Sequence, residues 1–233
     1  MSEHQPEFWV LIPAAGTGQR MQASIPKQYL EVAGKTVLQH TIDRLASVTG
    51  LAGIVLATAP DDQRFDVVLP TDVPCHRAEG GASRADTVLA GVERIIALAG
   101  SDVWVLVHDA ARPGVRVADV EQLMSVCASS GEGGILAQPV RDTVKQASQD
   151  LTIQTTLPRE EIWLAQTPQC FQAGLLRQAL QQALATDAAV TDEASAMTLA
   201  GHACRLVPGH WRNMKLTEPD DMPLLEWILS HES

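Results

Sequence analysis

The sequence has no closely paired cysteines, few lysines and no long apolar run, and each shortage removes a class of protein. Cys75, Cys127, Cys170 and Cys204 are widely spaced with no C-x-x-C pair, so neither a disulfide framework nor a zinc site is predicted, and scattered thiols fit a reducing compartment. His202 and Cys204 come nearest to a ligand pair, but a tetrahedral zinc site needs two further partners, and the sequence offers none nearby. No stretch approaches the roughly eighteen apolar residues that a spanning helix needs, and Met1–Glu7 lacks the basic-then-apolar order of a signal peptide. A soluble, cytoplasmic chain without a membrane partner is expected. Basic residues are outnumbered, 17 against 28 acidic, for a formal charge of -11. That balance disfavours general affinity for nucleic acid or an anionic membrane, which depends on basic clusters. An anionic ligand therefore needs a local basic site, and with only four lysines, Lys27, Lys35, Lys145 and Lys215, a motif that uses one is conspicuous.

What is present is enough chain for one large core. At 233 residues a single α/β domain over 1–233 is expected. Apolar runs at Phe8–Ile12, Gly53–Ala57, Val103–Val107 and Gly134–Ala137 read as buried strands. Between them fall helical patterns: Thr36 caps one running to about Ala46, Ser83 or Ala82 opens one through Leu98, and Val117 to about Ala128 is a third. This alternation predicts a mostly parallel, twisted, Rossmann-like sheet flanked by helices, with ligands at the carboxyl ends of the strands. Val140–Trp163 differs: it alternates polar and apolar residues around a polar turn at Ser148–Asp150 and predicts a protruding β-hairpin. Two strands alone have too little core to be stable, so the hairpin is expected to pack on its own domain or on a second subunit as a dimer arm. Beyond it, Ala173–Ala185 and Asp192–Ala200 read as helices, Cys204–Val207 as a strand and Pro219–Leu229 as a closing helix.

Three loops carry chemistry. After the first strand comes P-A-A-G-T-G-Q-R-M, with Pro26-Lys27 close behind. Ala14, Ala15, Gly16 and Gly18 let backbone approach a ligand and turn amide N–H groups toward one concavity, which suits phosphate oxygens, while Arg20 and Lys27 add positive charge. The loop lacks the third glycine of a dinucleotide fingerprint and the G-K-[ST] of a P-loop; a plain strand-to-helix turn is the competing account. The second loop, G-G-A-S-R-A-D-T-V from Gly80 to Val88, opens a helix. There Gly81, the first helical amides and the Thr87 hydroxyl could meet a base or phosphate, or simply cap the helix. The third, H-D-A-A-R-P from His108 to Pro113, puts Asp109 just past a buried strand, in reach of a ribose hydroxyl or a magnesium ion. His108 at a strand end is expected to be a hydrogen-bonded structural residue, and Arg112 to bind an anion or form a salt bridge. Arg141-Asp142-Thr143, Arg159, Thr167-Pro168-Gln169, Thr191-Asp192-Glu193-Ala194 and Lys215 are dispersed, and taken singly each reads as a cap, a turn or a solvated charge.

Taken in order, P-A-A-G-T-G-Q-R-M, I-P-K-Q-Y, G-G-A-S-R-A-D-T-V, V-H-D-A-A-R-P, P-V-R-D-T-V-K, Q-T-P-Q, T-D-E-A-S-A and N-M-K-L-T-x-P-x-D resemble the 2-C-methyl-D-erythritol 4-phosphate cytidylyltransferases of the non-mevalonate isoprenoid pathway, from about Trp9 to Leu229. The resemblance implies a transferase that uses CTP and magnesium. Pro13–Gly18, Gly81 and Thr87 would hold the cytosine and triphosphate, and Arg20 and Lys27 would neutralise the α-phosphate. Asp109 would meet ribose, substrate or magnesium. Arg112, Thr143, Arg159, Thr167, Thr191 and Lys215 would form the sugar-phosphate pocket, with Thr143 and Arg159 carried on an arm into the partner site of a homodimer. The nucleophile would be a phosphate monoester, largely dianionic at neutral pH because its second pKa is near 6, which fits the lack of any Ser, His or Cys nucleophile constellation.

Overall fold

In the computed structural model, residues 6–16, 21, 25–62, 64, 69–70, 72–186 and 188–231 are described. The apolar segment FWVLIP becomes β1 (Phe8–Pro13), an interior strand of a seven-stranded sheet, with its first five residues buried. It pairs in parallel with β4 (Leu51–Thr58) on one side and β6 (Trp104–Val107) on the other. β5 (Cys75–Glu79) continues the sheet beyond β4. Beyond β6 come β10 (Trp163–Gln172), β7 (Gly133–Pro139) and β11 (Cys204–Pro208), giving the order β11-β7-β10-β6-β1-β4-β5. β10 is antiparallel to both neighbours, and every other pairing in this sheet is parallel.

Alternation along β1 divides the core. Val10 and Ile12 join Leu38, Ile42 and Leu45 of α1 (Val37–Ala46) and Val120 and Leu123 of α3 (Val117–Ser130) on one face. Trp9 and Leu11 join Val88, Val92 and Ile95 of α2 (Arg84–Ala99), Leu176 and Leu180 of α4 (Ala173–Ala185) and Met197 of α5 (Glu193–Leu199) on the other. Helices on both faces explain why the parallel strands are apolar on both sides. The chain closes with a 3-10 turn over Pro219–Asp221 leading into α6 (Met222–Ser230), so the predicted closing helix begins in the tighter geometry. Among the described residues no helix is long and apolar enough to cross a membrane.

Two strands of the seven-stranded sheet escape the sequence reading, as does a short pair just before α1. β5 is C-H-R-A-E at the sheet edge, with Ala78 its one buried residue, too polar to stand out. β10 takes in Trp163, which the sequence reading placed in the hairpin, and buries Gln166, Thr167 and Gln169 by hydrogen bonding. The hairpin proper is shorter than predicted: β8 (Val144–Ala147) and β9 (Ile153–Leu157) form a separate two-stranded sheet. Leu151 and Ile153 on it are 87% and 63% exposed, so it carries almost no core of its own. The remaining short pair, β2 (Glu31–Val32) and β3 (Lys35–Thr36), leads into α1.

Candidate active site

Strand order reverses at β1: the chain crosses outward from β1 to β4 and β5, then returns to place β6 on the opposite side. Loops that leave neighbouring parallel strands in opposite directions open a crevice at their carboxyl ends. Here that crevice is a cleft of about 340 Å³ between the loop after β1 and the loop after β6. Pro13, Ala14, Ala15, Gly16, Lys27, Gly81, Thr87, Asp109 and Lys215, all anticipated, line it; so do Gln28, Ala82, Ser83, Arg84, Ala110 and Ala111, which were not. Gly18 and Arg20, also anticipated, lie outside the described residues.

The glycine-loop wall is held from three sides. The Ala14 amide donates to the Ala57 carbonyl of β4 at 2.7 Å. Gln28, in a 3-10 turn over Lys27–Tyr29, donates its side-chain amide to the carbonyls of Ala14 and Gly16 at 2.8 and 3.0 Å. Gly80 closes the far side: a Cβ there would sit 2.6 Å from that of Ala15, so only glycine lets the two loops approach this closely. Gly81 is bound into the α2 entry, its N–H donating to Thr87 Oγ1, which donates in turn to the Ser83 carbonyl. Ser83 caps α2 through a reciprocal box with Asp86, leaving Arg84 as the first helical residue at the cleft.

Opposite stands Asp109, just past β6, 8% exposed. Its Oδ1 lies 3.2 Å from Arg84 Nη2, and its Oδ2 lies 2.8 Å from Lys215 Nζ and 3.4 Å from Arg112 Nε. Burial works to raise the Asp109 pKa, but the charges of Arg84, Lys215 and Arg112 outweigh it and hold the carboxyl well below the usual range. Arg84 also forms a two-point pair with Glu193 at 2.5 and 3.2 Å. Glu193, 1% exposed, stands at the start of α5, where Asp192 caps the helix and Gln169 of β10 bonds both Asp192 and the Ala194 amide. Lys27 donates to the Leu216 carbonyl at 2.7 Å, next to Lys215. Lys27, Arg84, Arg112 and Lys215 against Asp109 and Glu193 are four positive and two negative charges, a local balance of +2 in a chain of -11.

Behind Asp109 a buried layer of polar groups is bonded internally, except for Asn213 Oδ1, which has no partner among the described residues. The Asp109 amide donates to Thr167 Oγ1, which bonds His108 Nδ1, while His108 Nε2 bonds the Arg112 carbonyl. Because a carbonyl only accepts, Nε2 carries the ring proton and Thr167 donates to Nδ1. Burial pushes the His108 pKa down to about 4. His108 is therefore a neutral structural residue, as expected. Arg112 is largely buried, and its Nη1 donates to the Asn213 carbonyl. Thr143, Arg159 and Thr191 are exposed and are not among the residues that line the cleft within one chain; the Arg159 guanidinium bonds the Arg141 carbonyl and pairs with Glu160.

Sequence reasoning missed Gln28, Arg84 and Glu193. All three lie inside quoted motif blocks, but nothing in a linear sequence shows that Arg84 and Glu193 become partners across 109 positions.

Comparison with known proteins gives the same answer. The family model for 2-C-methyl-D-erythritol 4-phosphate cytidylyltransferase (IspD) matches residues 8–231. A relative of that name from Pseudomonas entomophila strain L48 is 46% identical over 225 residues, 96% of this chain and 94% of the relative. A crystal structure of a 4-diphosphocytidyl-2C-methyl-D-erythritol synthase superposes with a TM-score of 0.82 at 37% identity, covering 96% of this chain and 99% of the other. That of the Francisella tularensis 2-C-methyl-D-erythritol 4-phosphate cytidylyltransferase does so at 0.79 and 33%, covering 95% and 99%. Motif order, sheet topology and a match across almost the whole length coincide, and the chain belongs to the 2-C-methyl-D-erythritol 4-phosphate cytidylyltransferase family.

Proposed function

We propose that this chain joins CTP and 2-C-methyl-D-erythritol 4-phosphate to give 4-diphosphocytidyl-2-C-methyl-D-erythritol and pyrophosphate, a step in making isoprenoid precursors. The observation that carries the reading is a locally positive cleft in an acidic protein, walled by a small-residue loop on one side and by Asp109 with its three cations on the other. The acceptor phosphate attacks the α-phosphorus in line and the α–β phosphoanhydride bond breaks. An already dianionic nucleophile needs no general base, and His108, buried with its ring nitrogens engaged, is not placed to act as one. The work left is positioning and neutralising charge on the phosphoryl oxygens.

Backbone at Pro13–Gly16 and the Gly81–Thr87 loop receive the base and triphosphate, and the motif assigns Gly18, outside the described residues, the same role. Lys27, with Arg20, neutralises the α-phosphate and the departing pyrophosphate. Asp109 takes the ribose and Lys215 and Arg112 the acceptor phosphate, while Thr167 braces Asp109 from behind through its amide and Thr191 is assigned to the acceptor side by its motif alone. Thr143 and Arg159 act on the partner's site, carried there by the hairpin in a homodimer. Its exposed apolar residues, Leu151 and Ile153, support that packing. Among the described residues no three His, Cys, Asp or Glu side chains gather to hold a metal. The donor chemistry therefore suits an ion that arrives on the nucleotide, with Asp109 as the hard oxygen donor on the protein side. Magnesium bound in this way would offset charge on the triphosphate oxygens.

The test is direct. CTP, magnesium and 2-C-methyl-D-erythritol 4-phosphate should release pyrophosphate and form the cytidine diphosphate product, and ribitol 5-phosphate should be a poor substitute. The reverse preference would overturn the acceptor, and no pyrophosphate with either would overturn the reaction.

A further inference from the structure

Gln28 is 4% exposed, yet its side chain ends at the cleft. Its amide faces two carbonyl oxygens, of Ala14 at 2.8 Å and Gly16 at 3.0 Å. Carbonyl oxygens only accept, so it is the NH2 end of the amide that faces them, and both of its hydrogens are committed to the loop. The flanking residues tether the same turn elsewhere: Lys27 to the Leu216 carbonyl, and Tyr29 Oη to Asp62 Oδ2 at 2.5 Å. Gln28 thus pulls on the loop from a base fixed on either side.

The direction of that pull matters. In a trans peptide the C=O and the following N–H point opposite ways. With the Ala14 carbonyl turned to Gln28, the Ala15 N–H is turned away from it. Gly80 stops the loop from yielding on the far side, since Ala15 Cβ already fills the place a Gly80 Cβ would take. Gly16 is open, with nothing within 4 Å of where its Cβ would be.

We propose that Gln28 is a positioning residue for the nucleotide half of the reaction: by holding the Ala14 and Gly16 carbonyls it turns the loop N–H groups outward to meet the triphosphate of CTP. It touches the loop and not the reacting atoms, so its effect falls on nucleotide binding and leaves the acceptor phosphate untouched. The inference rests on the cleft being the CTP site.

The test compares wild type with Gln28→Met, which keeps length and removes both donors, and Gln28→Glu, which sets a carboxylate against two carbonyl oxygens. CTP affinity is measured by calorimetry without acceptor, and KM is measured for each substrate. Two lost hydrogen bonds predict a KM and Kd for CTP raised on the order of tenfold in Gln28→Met and further in Gln28→Glu, with KM for the sugar phosphate changed less than about twofold whatever the change in the nucleotide-free unfolding midpoint. In Gln28→Glu, CTP affinity relative to wild type should recover as pH falls from 8 to 6, because the protonated carboxyl regains one donor. Unchanged CTP affinity in Gln28→Met, or both KM values rising together with a lowered midpoint, overturns the proposal; so does a Gln28→Glu defect indifferent to pH. Wild type failing to bind CTP would sink the reading of the cleft itself, whereas tight wild-type binding with unaltered variants sinks only the role of Gln28.

Discussion

Asp109 is the carboxylate that lets three cations share one small space. Without it Arg84, Arg112 and Lys215 would repel one another, and with it they remain charged and available. On the proposed reading the two substrates offer the same cations further oxygens, the triphosphate to Arg84 and the acceptor phosphate to Lys215, in competition with Asp109. Lys27 stands apart from that trio, on the Leu216 carbonyl. Lys27→Ala should therefore lower kcat by on the order of a hundredfold or more, the cost of one charge in a shielded site, while the unfolding temperature changes little because the lysine is only half-buried. Near-normal turnover in the purified variant would remove its assigned role. Lys27 was legible in the sequence because lysine is scarce there, and Asp109 because it follows an apolar strand. Arg84 was not, since an arginine after a helix-capping serine looks like any solvated charge until Glu193 is brought to it.

At the level of elements, the helix starts were the most readable feature. Thr36, Ser83 and Asp192 each cap a helix through their own side chains, and capping is local chemistry. Strands were legible in proportion to their burial on both faces: β1, β4 and β6 are continuous apolar runs, while β10 hides its burial in polar residues whose partners lie on other strands and loops. The hairpin of β8 and β9 was visible from its alternation, but its ends were not, because Trp163 alternates in step with it and yet pairs with Pro139 of β7. If this element delivers Arg159 to a neighbouring site, two inactive variants should complement each other. Mixing Arg159→Ala with Lys27→Ala under conditions that exchange subunits should restore part of the activity, since one of the two mixed sites then carries neither lesion. Activity no higher than that of either parent would mean that each chain completes its own site.

For the whole molecule, the buried polar layer behind the cleft couples stability to pH. The His108 pKa, about 4 in the folded protein, lies below the ordinary 6.5 because burial disfavours the charged ring. A depressed pKa contributes stability that is complete above about pH 6.5 and is lost as pH falls toward 4. At 1.36 kcal/mol per pH unit the loss is roughly 3 kcal/mol. Asp109 acts in the next window down: its carboxyl, held below the usual range, contributes stability above about pH 4 that is lost below it. Urea midpoints measured between pH 7.5 and 4.5 should fall steeply in wild type and less steeply in His108→Gln, whatever the offset between the two curves. Parallel curves would show that another group controls the acid limb.

The reversal of strand order at β1 also governs when the cleft can exist. Pro13 and Asp109 leave adjacent strands, and the third contributor arrives last: the Leu216 amide closes onto the Ala111 carbonyl while its own carbonyl takes Lys27. The glycine loop is made before its counter-wall, which waits first for β6 and then for Lys215 and Leu216. On the proposed reading the complete cleft is thus a property of the finished topology, and a chain halted before Lys215 would carry the loop with neither the cation assigned to the acceptor nor the carbonyl that holds Lys27.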